Sequence, residues 1–186
     1  ERMIGIVRKV LNSMLADLGP RHLTHEVLST LMAEVMAIVN SRPLVPVSTD
    51  PTMPEVLTPA TLLTQKTSTL KAIPGEFTAT DLCKHNKQWR HVQHLANVFW
   101  SKWRKEFLPT LQQEDVRNLE AGDLVLLRCK DVARNEWPLA RVIKAYESED
   151  GKVRKLDLTT TKDGVKHVYT RPVTEVVLLR NVHELN

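Results

Sequence analysis

Six cations, Lys84, Lys87, Arg90, Lys102, Arg104 and Lys105, recur along one stretch that also carries Trp89, Phe99, Trp100 and Trp103. Lysine and arginine at that density can neutralise phosphates, and the rings can stack on bases. The competing reading is ordinary. Long exposed helices are commonly charged, and aromatic rings at helical spacing usually pack inward. Arg2, Arg8 and Lys9 form a smaller basic group at the start of the chain, again with a plain solvated helix face as the alternative. His85, His91 and His94 lie among the cations but lack paired ligands at metal-binding spacing. Trp137, Tyr146 and Tyr169 invite comparison with aromatic cages that hold methyl-lysine, set against simple barrel packing. The 2 cysteines, Cys83 and Cys129, are far apart, which argues against a disulfide scaffold and for reduced, intracellular thiols. Cys129 reads as a small apolar strand residue rather than a nucleophile.

Length and composition bound what must position these groups. The 186 residues make one or two domains, and a hydrophobic content of 42% is enough for a core. The net charge of +4 is a mild basic excess, most of it between Asp81 and Asn118. No apolar run approaches the ~20 residues of a membrane span, and no signal peptide is visible. The chain enters a helical pattern directly at Glu1, which suggests a piece of a longer protein.

The pattern predicts a helix over 1–18, with Met3, Val7, Val10, Leu11, Met14, Leu15 and Leu18 as its stripe and Gly19-Pro20 as its stop. A second helix starts at the N-cap Thr24, with Glu26 favourable to its dipole, and ends at Asn40-Ser41-Arg42-Pro43. The two read as an antiparallel hairpin whose apolar faces need a cover, expected upstream. Five prolines from Pro43 to Pro59 predict a stiff, extended connector. Thr58-Pro59 then opens a short helix through Leu63, and a polar loop follows. From Thr80 to Gln112 the apolar spacing predicts one long helix of roughly 45 Å, ended or bent at Pro109. From Leu119 to Leu179 short strand-like runs alternate with turns, among them Gly122-Asp123 and Asp150-Gly151. About sixty residues are few for a large sandwich, so a small barrel is expected.

In their order these pieces resemble the C-terminal part of integrases from Bel/Pao-type retrotransposons, over nearly the whole chain. Glu1-Arg2-Met3-Ile4 with Val7-Arg8 is similar to the helix that carries the last catalytic acid of a retroviral-type integrase core. Glu34-Val35 with Val39-Asn40-Ser41-Arg42-Pro43-Leu44 resembles the next core helix. Leu57-Thr58-Pro59-Ala60-Thr61-Leu62-Leu63 resembles the segment after the core. Phe99-Trp100-Ser101-Lys102-Trp103-Arg104-Lys105-Glu106-Phe107-Leu108 resembles the aromatic helix of the C-terminal domain. Gly122-Asp123-Leu124-Val125-Leu126, Trp137-Pro138-Leu139-Ala140-Arg141-Val142, Asp150-Gly151-Lys152-Val153-Arg154 and Arg171-Pro172-Val173 resemble its barrel.

The resemblance implies an α+β chain. Its expected parts are the terminal helices of a ribonuclease-H-like core over 1–64, a loop linker over 65–79, a long basic aromatic helix over 80–112, and a Src-homology-3-like barrel over 119–180. It also implies that Glu1 is the third of three carboxylates that hold two Mg2+ or Mn2+ ions in the full-length enzyme. The other two acids lie upstream in the family, so the chain is expected to be inactive alone and to bind no metal itself. What it keeps is DNA binding without sequence preference, through Arg2, Arg8, Lys9, Lys84, Lys87, Arg90, Lys102, Arg104 and Lys105. Self-association, or association with the rest of an integrase, is expected, as is a nuclear location with a cytoplasmic particle stage. The alternative is a protein-interaction, chromatin-binding or multimerisation module without DNA activity; a third reading is a decayed element copy.

Overall fold

The computed structural model describes residues 2–18, 23–46, 56–66, 87–111, 118–129, 132–162 and 165–180. The chain is α+β and divides into two compact units. The first comprises Glu1–Ser41, Ser68–Pro109 and Ala133–Asn135; the second comprises Arg42–Thr67, Thr110–Val132 and Glu136–Asn186.

Among the described residues the first unit is built on three helices, α1 (Arg2–Leu18), α2 (His25–Asn40) and a later one, Lys87–Phe107. Thr24 caps α2 as its sequence predicts: its backbone is extended and its hydroxyl accepts the Val27 N–H at 3.3 Å. Ser41 ends the helix, its N–H and hydroxyl both returning to carbonyls of the last turn. The Lys87–Phe107 helix packs on both α1 and α2. Val10 and Met14 of α1 and Val27, Leu31, Val35 and Ile38 of α2 are buried. The cover these stripes need therefore includes a helix from later in the same chain. That helix presents Val92, Leu95, Ala96, Phe99, Trp103 and Phe107 inward. Phe99, Trp103 and Phe107, four residues apart, form a row of nearly parallel rings with centroids 6.1 and 5.3 Å apart. The helix gives way to a 3-10 turn at Leu108–Leu111, where Pro109 cannot continue the ladder. Residues 80–86 and 112 of the expected long helix lie outside the described residues.

The second unit starts with a correction to the proline connector. Its described ends double back as an antiparallel pair, β1 (Val45–Pro46) on β2 (Val56–Leu57). The short helix α3 (Pro59–Thr64) follows, with Thr58 and Thr61 exchanging a capping box and Pro59 in the first turn. The Lys87–Phe107 helix is thus α4 in chain order.

The sheet has five antiparallel strands: β3 (Leu124–Leu127), β4 (Leu139–Glu147), β5 (Val153–Lys162), β6 (Val165–Pro172) and β7 (Val176–Arg180). The spatial order is β6-β5-β4-β3-β7. The two outermost strands are joined by a 3-10 turn of three residues, Val173–Glu175. In a flat sheet they would lie four strand spacings apart, roughly 19 Å. The four residue steps from Pro172 to Val176 reach at most about 14 Å. The sheet must therefore curl strongly. Its concave core holds Leu119, Val125, Leu127, Ala140, Val142, Val153, Leu156, Leu158 and Val176. Ala140 and Val142 on β4 and Leu156 and Leu158 on β5 stand at every second residue, and register shifts at Val142/Lys144 and Tyr146/Glu147 break the alternation, leaving Ile143 exposed and Val153 three residues before Leu156. The β4–β5 turn sits at Asp150-Gly151, with Gly151 at φ 72°, a region that costs any residue with a Cβ.

Candidate nucleic-acid interface

Ion pairs and packing in the first unit take up several of the cations that the sequence marks. Lys9 pairs with Glu106 at 2.7 Å. Lys102 donates to Asp17 at 3.0 Å and to the Ser13 hydroxyl at 2.8 Å. Both pairs cross from α1 to α4, which run antiparallel. Arg104 is buried, its guanidinium 5.5 Å from the Trp100 ring centroid. Arg90 is half-buried, while Arg8 and Lys105 are exposed. Arg2 and Lys87 sit in the first turns of their helices, with side chains outside the described set; Glu1 and Lys84 lie outside it altogether. Phe99, Trp100 and Trp103 are buried and take no part in a stacking surface on this unit, whereas Trp89 is partly exposed.

A polar clasp completes this unit. Arg134 is only 5% exposed. It donates to Gln93 Oε1 at 2.5 Å and to Asn97 Oδ1 at 3.2 Å, and lies 3.5 Å from Glu34 Oε2. Gln93 in turn donates to Glu34 Oε1 at 2.8 Å. Burial pulls the Arg134 pKa down, and the Glu34 charge pulls it back up.

The second unit carries a basic surface that composition hides. Pairing sets Lys144 opposite Asp157, Tyr146 opposite Lys155, and Asp157 opposite Thr170. These side chains share the outer face of β4, β5 and β6, since the alternate residues Leu156 and Leu158 fill the core. The Tyr146 hydroxyl donates to Asp157 Oδ2 at 2.6 Å, and the Thr170 hydroxyl donates to Asp157 Oδ1 at 2.6 Å. Lys144 and Lys155 place their ammonium groups 4.8 and 5.3 Å from the Tyr146 ring centroid. The hydrogen bonds from Thr170 and then Tyr146 hold the Asp157 carboxyl below its ordinary range. The bond to Asp157 holds the Tyr146 phenol above its ordinary range. Lys166 and Val168 extend the same face on β6, and half-buried Arg141 extends it on β4.

Four cations therefore share this face with one acid, Asp157. Of the other acids of the hairpin, Glu147 ends β4 opposite the buried Val153, and Glu149 and Asp150 fall at the turn, where Asp150 is paired with Arg154 at 2.7 Å. The local signal was present in the sequence: counting outward from Asp150-Gly151 sets Tyr146 opposite Lys155 and Lys144 opposite Asp157. Tyr169 points the other way and packs against the core, so Tyr146 and Tyr169 do not form a cage.

Among the described residues no three His, Cys, Asp or Glu side chains come together to hold a metal ion. No described helix is long and apolar enough to cross a membrane. No curated protein and no solved structure matches the chain. One family pattern, described as a family of unknown function (DUF5641), matches residues 87–179, half the chain, taking in α4 and nearly all of the five-stranded sheet. The chain belongs to that family.

Proposed function

We propose that the chain is the C-terminal part of a Bel/Pao-type retrotransposon integrase, and that its curled sheet is a Src-homology-3-like barrel that binds DNA through the phosphate backbone. In this reading α1 and α2 are the last helices of a ribonuclease-H-like core. Glu1 is the last of three acids that together hold Mg2+ or Mn2+ in the longer enzyme, and the chain alone does not catalyse strand transfer. It supports DNA integration in the nucleus by holding DNA and by associating with itself or with the remaining integrase.

The observation that carries DNA binding is the outer face of β4, β5 and β6. There Lys144, Lys155 and Lys166 stand on strands with a single acid among them, and that acid is already engaged by two hydroxyls. Asp157 offsets part of the charge of Lys144 and Lys155, but three lysines against one carboxylate leave a net positive face, and that excess can release condensed counterions when it meets phosphates. Lys9 and Lys102 on the helices are already ion-paired, which makes them weaker candidates.

A second reading has an observation of its own. β6 is an edge strand with Val165 and Val168 exposed, a feature of a protein-contact or multimerisation strand. A salt titration of duplex-DNA binding separates the two. The DNA reading expects steep loss of affinity with salt and a slope shallower by about 2–3 in Lys144→Ala/Lys155→Ala/Lys166→Ala. Absence of duplex binding at low salt, together with concentration-dependent self-association, would establish the contact module instead.

A further inference from the structure

Tyr146 is the only aromatic side chain among the described residues on the outer face of β4, β5 and β6, and its position is unusually constrained for a surface ring. Its hydroxyl is tied to Asp157, whose second oxygen is held by Thr170. Its π-face already attracts two ammonium groups, from its own strand and from the neighbouring one. Two positions further along the face, Val168 is 64% exposed, an apolar neighbour on an otherwise polar surface.

We propose that Tyr146, flanked by Lys144 and Lys155, is a base-stacking platform for an unpaired nucleic-acid strand. The proposal rests on the nucleic-acid reading above and makes it more specific. A ring fixed by its hydroxyl loses little side-chain freedom when a base covers it, so most of the stacking energy is retained. Bases within a duplex already stack on each other, and a broad sheet face reaches them only when the strand is open. Lys144 and Lys155 then leave the ring for the phosphates on either side of the stacked base. Their long stems allow this without movement of the backbone. Thr159 adds a hydroxyl on the same face for a backbone contact.

The ring set between two lysines favours nucleic acid over an acidic peptide, because a peptide of acidic residues would use the lysines and leave the ring idle. The test uses the full chain with two probes, a fluorescent twelve-nucleotide oligothymidine and a duplex of the same length. Four proteins are compared: wild type, Tyr146→Ala, Tyr146→Phe and Tyr146→Trp, each checked for an unchanged thermal transition.

The platform expects Tyr146→Ala to weaken oligothymidine binding by roughly 5- to 100-fold. Duplex binding in that variant should stay within about twofold, with the same salt slope. Tyr146→Phe, which keeps the ring but loses the tie to Asp157, should fall between wild type and Tyr146→Ala on oligothymidine with duplex binding unchanged, and Tyr146→Trp should bind oligothymidine more tightly than Tyr146→Phe. A residue that merely props the strand would not show this ordering. Equal oligothymidine affinity in wild type and Tyr146→Ala overturns the platform while leaving duplex binding intact. A loss of polyglutamate binding in Tyr146→Ala as large as the loss of oligothymidine binding overturns it as well. Absence of binding to both probes at low salt overturns the platform and the nucleic-acid reading together.

Discussion

Asp157 shows how much a surface residue can depend on its neighbours. Two hydroxyls donate to it, from Thr170 on β6 and Tyr146 on β4, and both favour the charged carboxylate. Its folded-state pKa is lowered, so its contribution to stability is present above the ordinary carboxylate value of about 3.9 and lost as pH falls through the depressed one. Thr170→Val should move the Asp157 titration, followed by carboxyl NMR shifts, back up toward the ordinary value. It should also soften the acid limb of the stability profile. Arg134 is the opposite case, a buried cation whose partners come from two helices. Arg134→Ala leaves Glu34 and Gln93 without their shared donor and should cost about 2–3 kcal/mol in denaturant unfolding, a little below a fully buried pair because Glu34 is partly exposed.

At the scale of elements, α4 and the β4–β5 hairpin carry the fold of their units. The stacked row Phe99, Trp103, Phe107 fills the space between α4 and the helices that cover it. Trp103 is fully buried, so Trp103→Ala should cost about 3–5 kcal/mol. Lys105→Ala, two residues on and on the exposed side of the helix, should stay within about 0.5 kcal/mol, and urea denaturation of the two variants tests the contrast. In the hairpin, Gly151 has φ 72° and open space where a Cβ would go. The cost of Gly151→Ala is then backbone strain alone, about 1–2 kcal/mol by the same measurement. A larger loss would mean that the turn governs the register that aligns Tyr146 with Lys155.

Across the whole molecule, the useful quantity is where charge stands rather than how much there is. The residues after 118 are nearly neutral in sum, yet the sheet sorts them: cations on strand faces, several acids at turns. Between 81 and 118 the excess is larger, but Lys102 is ion-paired and Arg104 is buried. Duplex binding should therefore respond more to Lys144→Ala/Lys155→Ala/Lys166→Ala than to Arg8→Ala/Lys105→Ala. Parallel salt titrations measure this, the first variant losing about two to three phosphate contacts from the slope and the second fewer. The reverse ordering would return the interface to the helices.

Local features were legible without any structure, because their physics is local. Thr24 and Thr58-Pro59 satisfy the first N–H groups of their own helices. Asp150-Gly151 supplies its own turn geometry, and the apolar spacing of α4 needs only the helical period to be read. The small curled sheet followed from several short strands and the turns between them. Availability of a side chain is another matter. Lys9 meets Glu106 and Lys102 meets Asp17 across 97 and 85 residues of sequence, and only the antiparallel packing of α1 on α4 brings them together. The doubling back of β1 on β2 and the return of β7 to β3 are likewise long-range choices. A sequence states which groups carry charge. Which of them remain open to a ligand depends on neighbours that the fold supplies, and here the pairing of β4, β5 and β6 gathers Lys144, Lys155 and Lys166 on one face, while Arg8 and Lys105 stay exposed on the helices.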